Sequence, residues 1–165
     1  MTAPAWFKSK ILQEPDRGSV DVDGCAIETL VWGERGSRGL LFVHGNGAHA
    51  DWWSPFAPFF SDEWRVGAFS MSGMGRSGWR DAYSMDLHAR EILAVAHTLG
   101  LFEGKAKPWL VAHSMGGLPA AILAASEHGN EFGGLILVDS GAMPPRDNHP
   151  LDHRRPWSNP GYATL

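Results

Sequence analysis

The sequence has few of the features that mark secreted, membrane-spanning or nucleic-acid-binding proteins. Its 165 residues include one cysteine, Cys25, which excludes an intrachain disulfide and is compatible with a reducing compartment. Lys and Arg total 14 against 18 Asp and Glu, with no basic run, so a nucleic-acid partner is not expected. No apolar run is long enough to span a bilayer, and residues 1–13 lack the pattern of a secretory signal. We therefore expect a cytoplasmic protein without membrane contacts.

The order of apolar segments along the chain predicts an α/β fold. Residues 19–22 and 26–32 are predicted strands joined at Asp23-Gly24, a strong hairpin signal. Further strands are predicted at 39–43, 65–69, 109–112 and 135–138, and helices at 51–60, from Ser84 to Gly100, and at 115–127. A hairpin followed by strands that alternate with helices implies a mostly parallel sheet with helices on both faces.

The segment Ala112-His113-Ser114-Met115-Gly116-Gly117 carries the most specific chemical signal. It lies between a predicted strand and an Ala-rich helix, with small residues two positions before and two after the serine. Such a tight turn leaves no room for larger side chains and pushes the serine hydroxyl out above the sheet, which is typical of a nucleophile elbow. The alternative is an ordinary strand-to-helix turn with a chance serine.

A second segment complements the first. The predicted strand at 39–43 ends in His44-Gly45-Asn46-Gly47, a loop whose glycines allow close backbone approach to a substrate. Acyl transfer needs two N–H groups aimed at the developing oxyanion. One would come from Met115, and the other from Asn46 or Gly47.

These two motifs, with Ser72-Gly73-Met74-Gly75-Arg76-Ser77 between them, resemble the α/β-hydrolase superfamily in sequence and in order. The middle motif is similar to the family's Asp-x-x-Gly-x-Gly-x-Ser loop, but Ser70 stands where the aspartate is usual. The resemblance implies the N-terminal two-thirds of an α/β-hydrolase core, with residues 1–140 as a partial core and 141–165 as an irregular segment that begins a lid. We expect a chain truncated before the last strands, with an open sheet edge through which it self-associates.

The same resemblance implies a triad in the order serine, acid, histidine, with the histidine after the last strand of the sheet. Because only about six strands are predicted, we expect this histidine to lie outside the chain. His149 and His153 are the candidate bases within it, in a segment too irregular to hold a base well. Asp139, directly after the sixth strand, is a candidate acid, or else a carboxylate that bonds the turn backbone.

The other histidines have simpler interpretations. His44 is expected to shape the oxyanion loop rather than transfer protons. The histidines of the predicted helices are expected to be surface or half-buried residues, namely His88, His97 and His128.

The sequence thus predicts a serine hydrolase that acts on an ester or related acyl compound, a small-molecule substrate, with no metal and no organic cofactor. Gly73 to Gly78 match a dinucleotide-binding pattern, but no helix follows directly, so we do not expect that site. The candidate pocket residues, which could equally be core or lid packing, are Trp52, Trp53, Trp79 and Trp157. The alternative function is a non-catalytic fragment or ligand-binding remnant.

Overall fold

A six-stranded sheet forms the centre of the molecule. The structure, a computed structural model, describes residues 2–141 and the backbone of residues 157–158. The helices of the described residues are α1 (Ala5–Ile11), α2 (Met85–Thr98) and α3 (Gly117–Ala125). The strands of the sheet are β1 (Asp16–Val22), β2 (Cys25–Trp32), β3 (Arg38–Val43), β4 (Trp64–Phe69), β6 (Trp109–His113) and β7 (Gly134–Val138), and a separate two-stranded pair joins β5 (Ala82–Tyr83) to β8 (Trp157–Ser158).

The sheet runs in the order β1-β2-β4-β3-β6-β7. The first two strands form an antiparallel hairpin, β2 is antiparallel to β4, and the remaining pairings are parallel. This confirms the predicted mixed, mostly parallel α/β sheet. Parallel strands end at the same edge, and the register pairs Val43 with both Phe69 and Ala112, and His113 with Val138. The loops after four strands therefore meet at one edge.

Local sequence signals account for two of the turns. Asp23 and Gly24 have φ angles of 51° and 75°, the left-handed pair that a two-residue hairpin turn requires. Ser84 accepts a hydrogen bond from the Leu87 N–H at 3.1 Å and so caps α2. Helix α2 ends at Thr98, and Gly100 follows with a φ angle of 71°, as is common after the end of a helix. Both predictions are confirmed.

Apolar side chains cover both faces of the sheet. On one face, α2 and α3 pack against each other and onto a cluster that includes Leu41, Phe69 and Leu110. On the other face, Trp53 and Ala57 come from two short 3₁₀ segments and pack against Leu30, Phe42 and Val66. The sheet is thus the middle layer of the fold.

Three local predictions were wrong or incomplete. The helix predicted at 51–60 is instead two 3₁₀ segments, Ala50–Trp53 and Ala57–Phe59, since the prolines of this stretch interrupt a regular helix. Helix α1 and the β5–β8 pair were not predicted. His88, expected at or near the surface, is fully buried on α2.

Among the described residues the sheet has two edge strands, β1 at one end and β7 at the other. The last three side chains of β7 are apolar but exposed, with Ile136 at 46% and Val138 at 42%. An apolar edge without a charge or proline is a template for pairing with another chain. Separately, no helix in the described part of the chain is long and apolar enough to cross a membrane.

Self-association through β7 remains a prediction of this edge. Ile136→Lys places a charge on the exposed strand and is expected to shift the chain toward monomer in sedimentation velocity runs over a concentration series. Leu12→Lys is the matched control, because Leu12 is an exposed apolar side chain outside the sheet. Equal association of both variants and the unmodified chain would contradict a role for the β7 edge.

Candidate active site

Ser114 lies directly after β6, where the strand turns into a 3₁₀ segment, Ser114–Gly116, that leads into α3. Its φ angle is 50°, in the left-handed region that few non-glycine residues adopt. A left-handed residue at a strand-to-helix turn on the carboxyl edge of the sheet is the backbone arrangement of a nucleophile elbow. Ala112, two positions before Ser114, is fully buried, so a larger side chain there would displace its neighbours.

Two glycines after the serine let neighbouring loops approach the elbow. A Cβ on Gly116 would lie 2.2 Å from the backbone oxygen of His44, and a Cβ on Gly117 would lie 2.3 Å from the Ser140 hydroxyl. The loop after β3 also comes close to Ser114 itself, because a Cβ on Gly45 would lie 3.0 Å from the Ser114 Cβ. The elbow and the His44-Gly45-Asn46-Gly47 loop are therefore in van der Waals contact.

The His44 ring fixes the start of that loop from inside the protein. Its Nε2 accepts a hydrogen bond from the Met71 N–H at 2.9 Å, so the proton is on Nδ1, which donates to the Gly45 carbonyl at 2.7 Å. The ring is fully buried, and burial lowers the pKa of His44 to about 4. A neutral, doubly bonded imidazole of this kind holds a loop and takes no part in proton transfer near neutral pH.

The candidate oxyanion residues lie on the exposed side of this loop. Asn46 and Gly47 are exposed, and they form a turn in which the Ala48 N–H donates to the Gly45 carbonyl at 3.3 Å, with Gly47 at φ 69°. Met115 follows the serine in the first turn of its 3₁₀ segment, where backbone N–H groups have no acceptor within the helix. Both segments can therefore present N–H groups next to Ser114.

The turn after β7 approaches the elbow from the opposite side. The Ser140 hydroxyl donates to the Ser114 carbonyl at 2.7 Å, which places the neighbouring Asp139 at the same edge of the sheet. Asp139 is exposed and has a φ angle of 50°. Ser140 was not among the predicted site residues, because nothing in the sequence marks a serine that will contact the backbone of another loop.

The histidines of the described residues do not supply a base for Ser114. Within residues 2–141 the structure gives Ser114 Oγ no hydrogen bond to an imidazole. His113 is half-buried and stacks on Trp52, with the ring centroids 6.0 Å apart. His97 in the last turn of α2 and His128 in the 3₁₀ segment after α3 both pair with Glu131. The other candidate bases, His149 and His153, fall outside the described residues.

The candidate pocket tryptophans separate into three environments. Trp52 is 52% exposed beside the elbow, through its stacking on His113. Trp53 is buried in the core and stacks on Phe42 at 4.6 Å. Trp79 is exposed and lines a shallow groove with Arg80 and Tyr83, whose lining does not include Ser114. The side chain of Trp157 is outside the described part of the structure.

A buried polar cluster that the sequence did not reveal supports the loop after β4. Glu91 on α2 is fully buried and accepts hydrogen bonds from the Ser72 N–H at 3.1 Å and the Arg80 guanidinium at 3.2 Å, while His88 Nδ1 lies 3.0 Å from it. Burial opposes its ionisation, but the bonds from His88 and Ser72 outweigh burial and lower the pKa of Glu91. The only sequence signal was the three-residue spacing of His88 and Glu91 on one helix.

The fold, the elbow and the loop order define the class of protein. The family model of the alpha/beta hydrolase fold matches residues 40–164, more than half of the chain. The chain belongs to the α/β-hydrolase family.

The relatives with hydrolase names are longer than this chain, which matches less than half of each. The chain is 30% identical over 126 residues to the protein named carbamate hydrolase RutD of Caulobacter segnis, covering 74% of this chain and 45% of that one. It is 35% identical over 105 residues to a pimeloyl-[acyl-carrier protein] methyl ester esterase of Edwardsiella ictaluri, covering 64% and 37%. A bacterial membrane phospholipase A is similar in structure, with a TM-score of 0.71 and 30% identity over 86% of this chain and 44% of that one. The chain thus spans less than half the length of these proteins.

The two elbow glycines make a matched pair for substitution. Gly116→Ala places a methyl group against the backbone oxygen of His44, which cannot move without the whole loop. We expect destabilisation of about 3 kcal/mol, at the upper end of overpacking effects. The new Cβ in Gly117→Ala would lie 2.3 Å from the Ser140 hydroxyl and 2.6 Å from the Ser140 Cβ, so the turn after β7 must shift. We expect a smaller cost, because this turn follows an edge strand and Asp139 and Gly141 on either side of Ser140 are exposed. Urea unfolding of both variants measures the difference, and equal costs would contradict the close approach at His44.

The buried His44 predicts a pH dependence of stability. Its folded pKa of about 4 lies below the ordinary 6.5, so the unfolded chain binds the proton more readily and stability is lost as pH falls from 6.5 toward 4. The loss attributable to this ring is about 3 kcal/mol. Urea unfolding at pH 7.5 and 4.5 should show a smaller loss in His44→Gln than in the unmodified chain.

His97→Gln is the control, because His97 is a half-exposed histidine on the same protein. Its loss of stability between the two pH values is expected to match that of the unmodified chain. If His44→Gln and His97→Gln lose the same amount, burial of the His44 ring is not the source of the pH dependence.

Proposed function

We propose that this chain carries the nucleophile and the oxyanion-binding groups of a serine hydrolase acting on an ester or related acyl compound. The observation that carries the proposal is the left-handed conformation of Ser114 at the end of β6, in contact with the loop that contains Asn46. The names of the relatives support the substrate class, since one carries the name of a carbamate hydrolase and another that of a methyl ester esterase. Both names describe attack on an acyl carbonyl that bears a heteroatom leaving group.

The proposed reaction proceeds through an acyl-serine. Ser114 Oγ attacks the carbonyl carbon while its proton passes to a histidine base, and the carbonyl oxygen becomes an oxyanion. Collapse breaks the bond to the leaving group, which takes the proton from the histidine, and water then releases the acid by the same steps. The N–H groups of Met115 and of Asn46 or Gly47 would stabilise the oxyanion, and the start of α3 favours negative charge there.

The serine also needs a histidine base and an acid that orients it. We propose that the base is a histidine outside this chain. His149 and His153 are the alternative candidates within it. Asp139 is the candidate acid, because its turn is tied to the Ser114 backbone through Ser140. A serine without a base can attack only slowly, so supply of a base is expected to limit the rate.

Of the candidate pocket tryptophans, we assign Trp52 to the wall of an apolar acyl pocket. Its exposed ring stacks on His113, the residue before the nucleophile, and therefore forms one wall next to the reacting carbonyl. Trp53 contributes to the core beneath this wall rather than to the pocket. Trp79 belongs to the other groove.

The alternative is a non-catalytic fragment or ligand-binding remnant that keeps the floor of the pocket. The observation that favours it is the lack of a histidine bonded to Ser114 within residues 2–141. The two functions differ in whether Ser114 reacts when a base is provided.

Chemical rescue separates them. The purified chain and Ser114→Ala are compared in hydrolysis of p-nitrophenyl acetate and butyrate, with imidazole added in increasing amounts as an external base. The proposal predicts a saturable rate, dependent on Ser114, that rises with imidazole above the rate of the Ser114→Ala variant. Equal rates from both folded proteins at every imidazole concentration would contradict the serine hydrolase and favour the remnant.

The rate without imidazole locates the base. Turnover that depends on Ser114 in its absence would place the base within the chain or a second copy. His149→Ala and His153→Ala then identify which of the two supplies it. Turnover only with imidazole would support a base outside the chain.

A further inference from the structure

Glu28 on β2 is a buried carboxylate outside the motifs of the candidate site. The residue is 7% exposed, and its Oε2 accepts hydrogen bonds from the Ser70 hydroxyl at 2.7 Å and from the Arg76 N–H at 3.0 Å. A buried carboxylate is costly unless it is well bonded, so its presence requires a structural reason. Both of its partners lie in the loop after β4.

The partners of Glu28 explain the departure of this chain from the family's loop pattern. Ser70 occupies the position where the aspartate is usual, and its short side chain carries no charge. Its hydroxyl reaches a carboxylate on the neighbouring strand instead, because β2 pairs with β4. The loop backbone at Gly75 also packs closely on this side chain, because a Cβ on Gly75 would lie 2.3 Å from the Ser70 hydroxyl.

The same hydroxyl reaches the candidate oxyanion loop. Ser70 Oγ accepts a hydrogen bond from the Ala50 N–H at 2.9 Å while it donates to Glu28. At the other end of the loop, the Met71 N–H donates to His44. Residues 44–50, which include Asn46 and Gly47, are therefore held at both ends by two consecutive residues of the loop after β4.

We infer that Glu28 is a positioning residue, which supplies from β2 the carboxylate that the loop after β4 lacks and acts through Ser70 to fix residues 44–50. The charge polarises the Ser70 hydroxyl and fixes it as a donor to Glu28, so its lone pair is free for Ala50. A second link closes the network, because Ser77 Oγ accepts from the Glu28 N–H and donates to the Ser70 carbonyl.

Hydrogen exchange at single amides tests the anchor without any need for activity. In Glu28→Ala the Ala50 and Arg76 amides are expected to exchange about tenfold faster, the factor for loss of a hydrogen bond that involves a charge. The Gly78 N–H is the internal control, because it lies in the same region but donates to the Ala26 carbonyl. Equal acceleration at all three amides would overturn the inference and indicate general destabilisation.

A mutant cycle with Ser70 shows whether Glu28 acts through that residue. In a Ser70→Ala background, Glu28→Ala is expected to accelerate Ala50 exchange no further, whereas independent action would multiply the two effects and overturn the inference. Glu28→Gln takes the place of Glu28→Ala if the alanine variant does not fold. Glu103→Ala is the control for removal of a carboxylate, since Glu103 forms an exposed ion pair with Arg35.

Relocation of the carboxylate is the most demanding test. The double variant Glu28→Ala/Ser70→Asp removes the charge from β2 and returns it to position 70. We expect Ala50 protection to recover to within a few-fold of the unmodified chain. If the double variant folds but its Ala50 amide exchanges as fast as in Glu28→Ala, a carboxylate at position 70 does not replace the one at position 28, and the inference is contradicted.

The effect of Glu28→Ala on catalysis rests on the proposed function, and it is measured in a separate experiment. In the imidazole-rescued assay, Glu28→Ala should lower kcat and leave KM nearly unchanged, because oxyanion donors act mainly in the transition state. Fast Ala50 exchange with no loss of kcat would overturn the link between the anchor and the reaction. Absence of Ser114-dependent turnover in the unmodified chain would instead count against the proposed function, and the exchange results would still stand.

Discussion

The closest backbone approach at the candidate site, between Gly116 and the carbonyl of His44, is the constraint on which its arrangement depends. It joins the start of α3 to the loop after β3 with no space for a methyl group. Because β3 and β6 are adjacent parallel strands in register, this contact sets the position of Ser114 relative to Asn46 and Gly47. The left-handed backbone of Ser114 is the local cost of the turn, and the packing around it compensates that cost.

The loop after β4 holds this arrangement in place. It contacts residues 44–50 through Met71 and Ser70, and it is itself bonded to two buried carboxylates, Glu28 from the sheet and Glu91 from α2. Most of the polar groups buried near the site thus support the loops rather than face a substrate. Such support fits a site that must keep N–H donors fixed before a charge develops.

Those features that depend on short-range sterics were predictable from the sequence. The elbow follows from small residues around Ser114, the hairpin turn from Asp23-Gly24, and the start of α2 from Ser84, because each is decided by a few adjacent residues. The anchor could not be predicted, since Glu28 and Ser70 are separated by 42 positions and meet only through strand pairing. The burial of His88 was missed for a similar reason, because its partner Glu91 is itself bonded by Ser72 and Arg80, which lie in the loop after β4.

A crystal structure of the chain with an alkyl boronic acid would be the most direct test of the proposed site, since boron bonds reversibly to a serine oxygen and forms a tetrahedral adduct. We predict a bond from boron to Ser114 Oγ, with one boronate oxygen within hydrogen-bonding distance of the Met115 N–H and of the Asn46 or Gly47 N–H. A boronate bound at Ser114 with no oxygen near either segment, or bound elsewhere, would contradict the proposed oxyanion site.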